Sequence, residues 1–313
     1  MGTLRASEHL VSQTGIAGVS PFFRFHYKET KTKMQHLLST RLFAGQRLTT
    51  AGLERIRNAG FAGVEIYCAR QHVDYQDAAQ IAELGHWFRD SPLKLHSVHS
   101  PIHNDDVGGV SGPHAVLDIT ESQKAKRIAI VDEIKRAIDI AEKVPFQYLI
   151  QHLGVVDQDF DERRIDAAFS SLDEIRSFAG QRGVEVLLEN IPNGMSSAER
   201  LNEFLALTHL NLNYCFDIGH AHLMKGVAAE FELMKERIRS THIHDNDGKT
   251  DAHLFPGQGA IDWKHAMGLL LSRPEQYPML LELKAVAAVE NPAEDAKRTA
   301  EDLDKFESYY EQQ

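Results

Sequence analysis

The chain has little cysteine and no long apolar run. Cys68 and Cys215 are the only cysteines among 313 residues, too few for a disulfide framework and typical of a reducing compartment. No apolar stretch approaches the roughly 20 residues that a membrane span needs. The N-terminus also lacks the apolar core of a signal peptide. We therefore expect a cytoplasmic protein that does not cross a membrane.

Positive charge is also scarce. Lys and Arg number 34 against 45 Asp and Glu, and the formal net charge is -11. Proteins that bind nucleic acid usually show an excess of basic residues, although a local basic groove is compatible with an acidic total. The charge therefore favours a small molecule as the substrate and leaves nucleic acid as an alternative. The composition is compatible with a homo-oligomer.

Strand and helix patterns alternate along the chain from residue 40. Short apolar runs predict eight strands, at Leu42–Ala44, Val64–Cys68, Leu93–Val98, Tyr148–His152, Val184–Leu188, Leu212–Phe216, Ile238–His244 and Met279–Glu282. A helical pattern follows each strand, and the first one begins at Thr49 and Thr50 and ends at Gly60. Strands that are apolar on both faces are typical of a buried parallel sheet.

Eight such units predict an α/β fold, a parallel eight-stranded (β/α)8 TIM barrel. An open doubly wound sheet is the alternative, but no Gly-rich dinucleotide loop follows the first strand. Residues 1–39 have no clear period, so we predict a leader there that is disordered or packed on the outside. The barrel domain is then expected to span residues 40–313.

Polar side chains follow six consecutive predicted strands at the points where they end. In a barrel these strand ends converge on the C-terminal mouth, where the active sites of this fold lie. Imidazoles and carboxylates together suit a divalent metal, so we predict one to three ions of Mn, Zn, Co or Mg. The candidate ligands are His99, His152, Glu189, Asp217, His220, His244, Asp251, His253 and Glu282.

Three other polar residues in the predicted strands have different expected roles. His242 is interpreted as a packed histidine of the barrel interior, one layer below His244. Glu65 is unusual in an apolar strand, where it either orients a ligand histidine or faces water. Lys284 lies two residues after Glu282 and is a candidate contact to a substrate.

Five short motifs extend this pattern over residues 40–313. They are VHSP at the third strand, LLEN at the fifth, FDIGH at the sixth, HIHDND with HLFPGQGAIDW at the seventh, and PMLLEL at the eighth. Through them the chain resembles the xylose isomerase-like TIM barrels, a superfamily of sugar isomerases, sugar epimerases and endonuclease IV. The motifs point to the superfamily and do not choose among its members.

The resemblance to tagatose-3-epimerase-like enzymes implies a single metal held by Glu189, Asp217, His244 and Glu282. Glu189 and Glu282 would then be the catalytic pair, which transfers a proton on a sugar or sugar phosphate through a metal-bound enediolate. His220, His253 and Lys284 are the expected substrate contacts. In that family an arginine before the PGxG loop grips the sugar, whereas Asp251, Ala252 and His253 occupy that neighbourhood here.

The resemblance to endonuclease IV implies something different, three zinc ions held by all nine candidate ligands. The acidic mouth loops, with Asp105, Asp106, Asp245, Asp247 and Asp251, disfavour DNA phosphates. A metal-dependent isomerase or epimerase is therefore the first interpretation. The alternatives are a zinc phosphodiesterase acting on abasic DNA, another metal-dependent lyase or hydrolase of the barrel, and a non-catalytic binder of metal or sugar.

Overall fold

Eight parallel strands form a single sheet in the computed structural model, which describes residues 34–104, 115–284 and 291–306. Neighbouring strands follow one another in the order β7-β6-β5-β4-β3-β2-β1-β8. The strands are β1 His36–Ser39, β2 Gly63–Tyr67, β3 Lys94–His99, β4 Tyr148–His152, β5 Glu185–Glu189, β6 Asn213–Asp217, β7 Ile238–His242 and β8 Met279–Leu281.

The two end strands of this order meet and nearly close the ring. The backbone N–H of Ile243 donates to the carbonyl of Leu280 at 2.9 Å, and the N–H of Glu282 donates to the carbonyl of Ile243 at 3.2 Å. A sheet of eight parallel strands that closes on itself is a TIM barrel. The predicted (β/α)8 fold is confirmed.

Helices alternate with the strands. Within the described residues they are α1 Thr50–Asn58, α2 Ala78–Asp90, α3 Lys124–Ile138, α4 Ile165–Gly180, α5 Ala198–Thr208, α6 Ile218–Leu223, α7 Val227–Met234, α8 Trp263–Leu270 and α9 Pro292–Asp304. Side-chain caps begin several of them: Thr49, where the first helix was predicted to begin, accepts from the N–H of Gly52, and Asp262 accepts from the N–H of His265. Helix α6 was not predicted, and it begins directly at the end of β6.

The first strand is a correction to the sequence prediction. Residues His36–Ser39 pair with β2 and with β8, whereas the predicted strand Leu42–Ala44 lies largely in a 3-10 helix, Thr40–Phe43. Both segments are short and apolar, and a run of three or four residues has no period that separates strand from helix. The barrel therefore includes residues 36–39, which precede the predicted domain start at residue 40. Residues 1–33 lie outside the described part, and the predicted leader there remains a prediction.

The side chains of the barrel form two kinds of core. Most buried apolar residues pack between the strands and the helices in one large cluster. A second, small cluster consists of Tyr148, Ile150, Leu187 and Cys215, whose side chains alternate with the outward-facing ones and fill the barrel interior. Beyond these apolar residues, toward the C-terminal mouth, the interior becomes polar. This polar region contains the site. Among the described helices, none has the length and apolar character that spanning a membrane requires.

Candidate active site at the barrel mouth

The polar strand ends converge, and their side chains form three adjoining groups. In each group the potential ligand atoms lie within 4.8 Å of one another. The groups are Glu189 with Asp217, His242 and Glu282; His99 with His152 and Glu189; and His220 with His244, Asp251 and His253. All nine predicted ligands therefore lie in this region, together with one histidine that was assigned a packing role.

The central group combines three carboxylates and one imidazole. His242 Nδ1 lies 3.1 Å from Glu189 Oε1, 3.5 Å from Glu282 Oε2 and 3.8 Å from Asp217 Oδ2. All four residues are buried, with exposures of 2% or less. The imidazole therefore faces three carboxylates that come from three other strands.

His242 lies in the central group, where the sequence analysis expected His244. The pairing of β6 with β7 sets Asp217 beside His242, after a register shift between Tyr214 and Cys215. His244 shares the face of His242 but lies one layer closer to the mouth, where its Nε2 is 3.0 Å from Asp217 Oδ2. The sequence pattern His-x-His could not choose between the two levels, because both residues point inward.

Glu65 orients His242 from the opposite wall. Its Oε2 lies 3.1 Å from His242 Nε2 and accepts a hydrogen bond from Ser97 Oγ at 2.8 Å. A carboxylate on Nε2 fixes the tautomer and leaves Nδ1 free to bind a metal, as outer-sphere carboxylates do in metal sites. The orienting role, one of two that the sequence left open for Glu65, agrees with this geometry.

Two histidines extend the central group toward β3 and β4. His152 Nε2 lies 3.1 Å and His99 Nε2 3.5 Å from the same atom, Glu189 Oε2. His99 Nδ1 donates to the carbonyl of Ser100 at 2.8 Å, which directs Nε2 of the ring toward Glu189. Glu189 therefore lies between two groups, with one carboxylate oxygen directed to each.

The third group lies at the end of β6 and in the loop after β7. Asp251 Oδ2 lies 3.1 Å from His253 Nε2 and 3.4 Å from His220 Nε2. The ring of His244 stacks on that of His253 with a centroid distance of 3.9 Å. The positions follow from local structure: Asp217 caps helix α6 and holds the N–H of His220 at 2.6 Å, which directs His220 to the mouth.

The histidines keep the central carboxylates ionised. Burial would raise the pKa of Glu189, but His242 and His152 outweigh burial and hold that pKa well below its ordinary value. Burial opposes ionisation of Glu282 as well, and His242 and Arg41 lower its pKa. Both glutamates are therefore anionic at neutral pH, which suits proton acceptors and metal ligands alike.

Asp245 does not face the mouth, contrary to its predicted place among the acidic loop residues. It is fully buried, and its carboxylate accepts hydrogen bonds from the loop that returns to helix α8. The donors are the N–H groups of Asn246, Gly257, Gly259 and Ile261 and the indole N–H of Trp263, at 2.8 to 3.2 Å. A Cβ on Gly259 would lie 2.3 Å from Asp245 Oδ1, so glycine is required there. This part of the PGQG motif is structural.

We expect Asp245→Asn to destabilise the protein by about 3 kcal/mol or more, because an amide nitrogen would face donors and leave several of them buried without partners. Asp247→Asn in the same loop is the matched control, since Asp247 is exposed and its hydrogen bonds stay within residues 247–250. It should change stability much less than Asp245→Asn does. Urea unfolding of both variants measures the difference. Equal losses would contradict the structural role of Asp245.

Arg41 and Tyr67 reach the mouth although the sequence analysis did not single them out. The guanidinium carbon of Arg41 lies 5.0 Å from the centroid of the Tyr67 ring. With Lys284, which was predicted to contact substrate, both line a cavity beside Glu282. Arg41 follows the end of β1 by two residues, so a correct placement of that strand would have revealed it. Asp105 and Asp106 lie outside the described residues.

A barrel with histidines and carboxylates at its strand ends defines the class of (β/α)8 proteins whose site is built from the carboxyl ends of the strands. Residues 53–309 match a family model described as xylose isomerase-like TIM barrel. The match covers most of the chain, and the chain belongs to this family. The predicted resemblance is confirmed.

Individual proteins are also similar to this chain in sequence or structure. An uncharacterised protein of Methanocaldococcus jannaschii is 28% identical over 243 residues, which cover 74% of this chain and 77% of that protein. An inosose dehydratase of Yersinia enterocolitica is 26% identical over 145 residues, 39% of this chain and 49% of that protein. The crystal structure of a D-tagatose 3-epimerase-like protein superposes with a TM-score of 0.70 at 25% identity, covering 89% of this chain and 99% of that one.

Proposed function

We propose that this protein is a metal-dependent isomerase or epimerase that acts on a sugar or sugar phosphate. The observation that supports it is the central group, in which Glu189 and Glu282 come from β5 and from the end of β8 and face the same imidazole, that of His242. Two carboxylates on different walls of one cavity can approach a substrate from two sides. The similarity to a D-tagatose 3-epimerase-like protein agrees with this chemistry.

The central residues fit a divalent cation. Three buried carboxylates close together are unfavourable without positive charge, and one imidazole gives only partial compensation. Glu282 Oε1 is buried and has no hydrogen-bond partner among the described residues. Glu189, Asp217, His242 and Glu282 would hold the ion, and their mixed oxygen and nitrogen set suits Mn, Zn, Co or Mg. When bound, such an ion polarises a carbonyl group of the substrate.

The protein's own residues then move the proton. Because the pKa of each glutamate is held low, both are unprotonated before the reaction, and the glutamate that faces the proton next to the carbonyl removes it. Removal protonates that glutamate and leaves an enediolate of the sugar. The other glutamate takes up a proton from solvent and delivers it to the opposite face, which inverts that carbon. Return of a proton to the neighbouring carbon gives the isomer instead. Glu65 keeps His242 in place throughout.

The test is proton exchange with solvent. Metal-loaded protein is incubated in heavy water with a panel of ketoses and aldoses and their phosphates, and deuterium at the carbon next to the carbonyl is measured by NMR. We expect incorporation into at least one sugar together with formation of its epimer or isomer. Absence of both across the panel would contradict the proposed function.

A second candidate function is supported by the two outer groups. His99 with His152 and His220 with Asp251 and His253 surround the central group, so residues for up to three ions lie side by side. This is the ligand set that the resemblance to endonuclease IV implies, with His242 in addition. A zinc phosphodiesterase acting on an abasic duplex is the corresponding activity. The inosose dehydratase relative likewise keeps a metal-dependent lyase as an alternative.

Metal content separates these candidates. Mass spectrometry of protein purified without added metal counts the ions per chain, and about three zinc ions would favour the phosphodiesterase. That activity also requires metal-dependent nicking of a duplex with one abasic site, with binding that weakens steeply as salt is raised. One ion per chain and no nicking at micromolar protein would contradict the second candidate and leave the first.

A further inference from the structure

A cavity of about 400 Å³ is lined by two positively charged side chains, Arg41 and Lys284, the second of which follows Glu282 by two residues. Arg41 reaches it from the end of β1 and Lys284 from the end of β8, and these two strands are neighbours in the barrel. Tyr67 and Gln71 form the wall toward β2. The mouth is otherwise rich in carboxylates, so two cations at one side of it mark a distinct subsite.

Arg41 has no carboxylate partner within salt-bridge distance in the part of the chain that the structure describes. The acidic groups around it, Glu282 and Asp251, lie closest to histidines instead. Burial alone would lower the pKa of Arg41, but Glu282 and Tyr67 act against burial and raise that pKa. The guanidinium is charged and belongs to the cavity wall, and its planar fork of N–H donors matches a carboxylate or a phosphate.

Gln71 adds an uncharged polar group to the same cavity. Its side-chain carbonyl oxygen is buried without a hydrogen-bond partner among the described residues. Such an orphan group costs free energy unless a ligand or water satisfies it, so its presence in the wall is consistent with a binding site. It can accept a hydrogen bond from a hydroxyl group next to the anionic one.

We propose that this cavity binds an anionic group of the substrate, a phosphate or a carboxylate, through Arg41 with Lys284 beside it. The inference rests on the proposed function, since it adds the charge of the substrate to the reaction at Glu189 and Glu282. The neutral part of the substrate then lies over the central group, and the anionic group lies toward β1 and β8. Arg41 is a binding residue in this arrangement.

The first experiment measures anion binding directly. Isothermal titration calorimetry of the metal-loaded protein with inorganic phosphate, and separately with acetate, compares the unaltered chain with Arg41→Gln, Arg41→Lys and Arg47→Gln. Arg47 is an exposed neighbour that pairs with Asp77, so it is the matched control. We expect Arg41→Gln to weaken binding about 10-fold or more, Arg41→Lys to weaken it less, and Arg47→Gln to leave it unchanged. The stronger probe identifies phosphate or carboxylate as the group.

If Arg41→Gln binds phosphate and acetate as tightly as the unaltered chain does, the inference is overturned, because the metal or other groups would then hold the anion. Failure of both probes to bind the unaltered chain would overturn it too. Circular dichroism and thermal unfolding check that each variant is folded. Arg41→Lys retains the charge, so it separates loss of the guanidinium from loss of the fold.

A second experiment separates this inference from the proposed function. The ratio of kcat/KM for a ketose phosphate or keto-uronate to kcat/KM for the matching neutral ketose is measured in the unaltered chain and in Arg41→Gln. We expect the ratio to exceed one and to fall about 10-fold or more in the variant. Turnover of neutral ketoses without any preference for the anionic forms overturns the inference and retains the proposed function. Turnover of neither form defeats the proposed function, and the calorimetry alone then decides the anion site.

Discussion

Glu282→Gln should eliminate deuterium incorporation into the substrate, with a loss of kcat of about 100- to 10,000-fold, the range that general acid–base catalysis supplies. Glutamine has nearly the same shape but cannot accept the proton at neutral pH. The position is buried and lies at the centre of the barrel, so a change of similar volume preserves the packing around it. Glu189→Gln should have an equal effect, because the reaction needs both carboxylates.

The measurement must separate the loss of proton transfer from the loss of the metal. Metal content and thermal unfolding are therefore recorded on the same preparations of Glu282→Gln. Glu185→Gln is the matched control, since Glu185 begins β5 at the opposite end of the barrel and is exposed. Its exchange rate should equal that of the unaltered protein. Persistent exchange in Glu282→Gln with the metal still bound would show that Glu282 is not the acid or base.

His242→Ala should remove the ion of the central group, whereas His244→Ala should leave that ion in place. His242 Nδ1 lies within 3.8 Å of all three central carboxylates, while His244 contacts Asp217 and packs against His253. We expect His242→Ala to lower metal affinity by more than the roughly 10- to 100-fold that loss of an outer-sphere partner costs. Exchange activity should fall with the metal.

Glu65→Gln extends this comparison. It leaves the His242 ring in place but removes the carboxylate that accepts from Nε2, so metal affinity should fall by about 10- to 100-fold. Metal titration with a competing chelator ranks the three variants. The order of loss should be His242→Ala, then Glu65→Gln, then His244→Ala, measured on the central ion. If His244→Ala loses that ion and His242→Ala retains it, the assignment from the strand register is wrong.

The barrel was predicted well from the sequence, because the patterns that indicate its strands and helices involve residues close together in the chain. Alternating apolar strands and capped helices are properties of neighbouring residues, and Thr49 and Asp262 form the caps that their types indicated. The first strand was the exception. The segments at residues 36–39 and 42–44 look alike, and only hydrogen bonds to β2 and β8, which lie far away in the chain, select the former.

The residue types of the candidate site were also predictable, but the depth of each residue in the barrel was not. The type of each residue at a predicted strand end is given by the sequence, so the set of histidines, aspartates and glutamates could be identified from the sequence alone. Whether His242 or His244 lies beside Asp217 depends on the register of β6 against β7, including the shift between Tyr214 and Cys215. The two-residue period of a strand fixes which side a residue faces and leaves its height in the barrel open.

By itself, then, the sequence determined the order of the strands, the polarity of their ends and the chemistry of the ligands available. Tertiary structure decided which of these groups meet. It brought His242 into the central group, turned Asp245 inward to hold the loop before α8, and set Arg41 beside Lys284. The reason is physical: side-chain periodicity is a property of adjacent residues, whereas register and closure come from hydrogen bonds between strands that are distant in the chain.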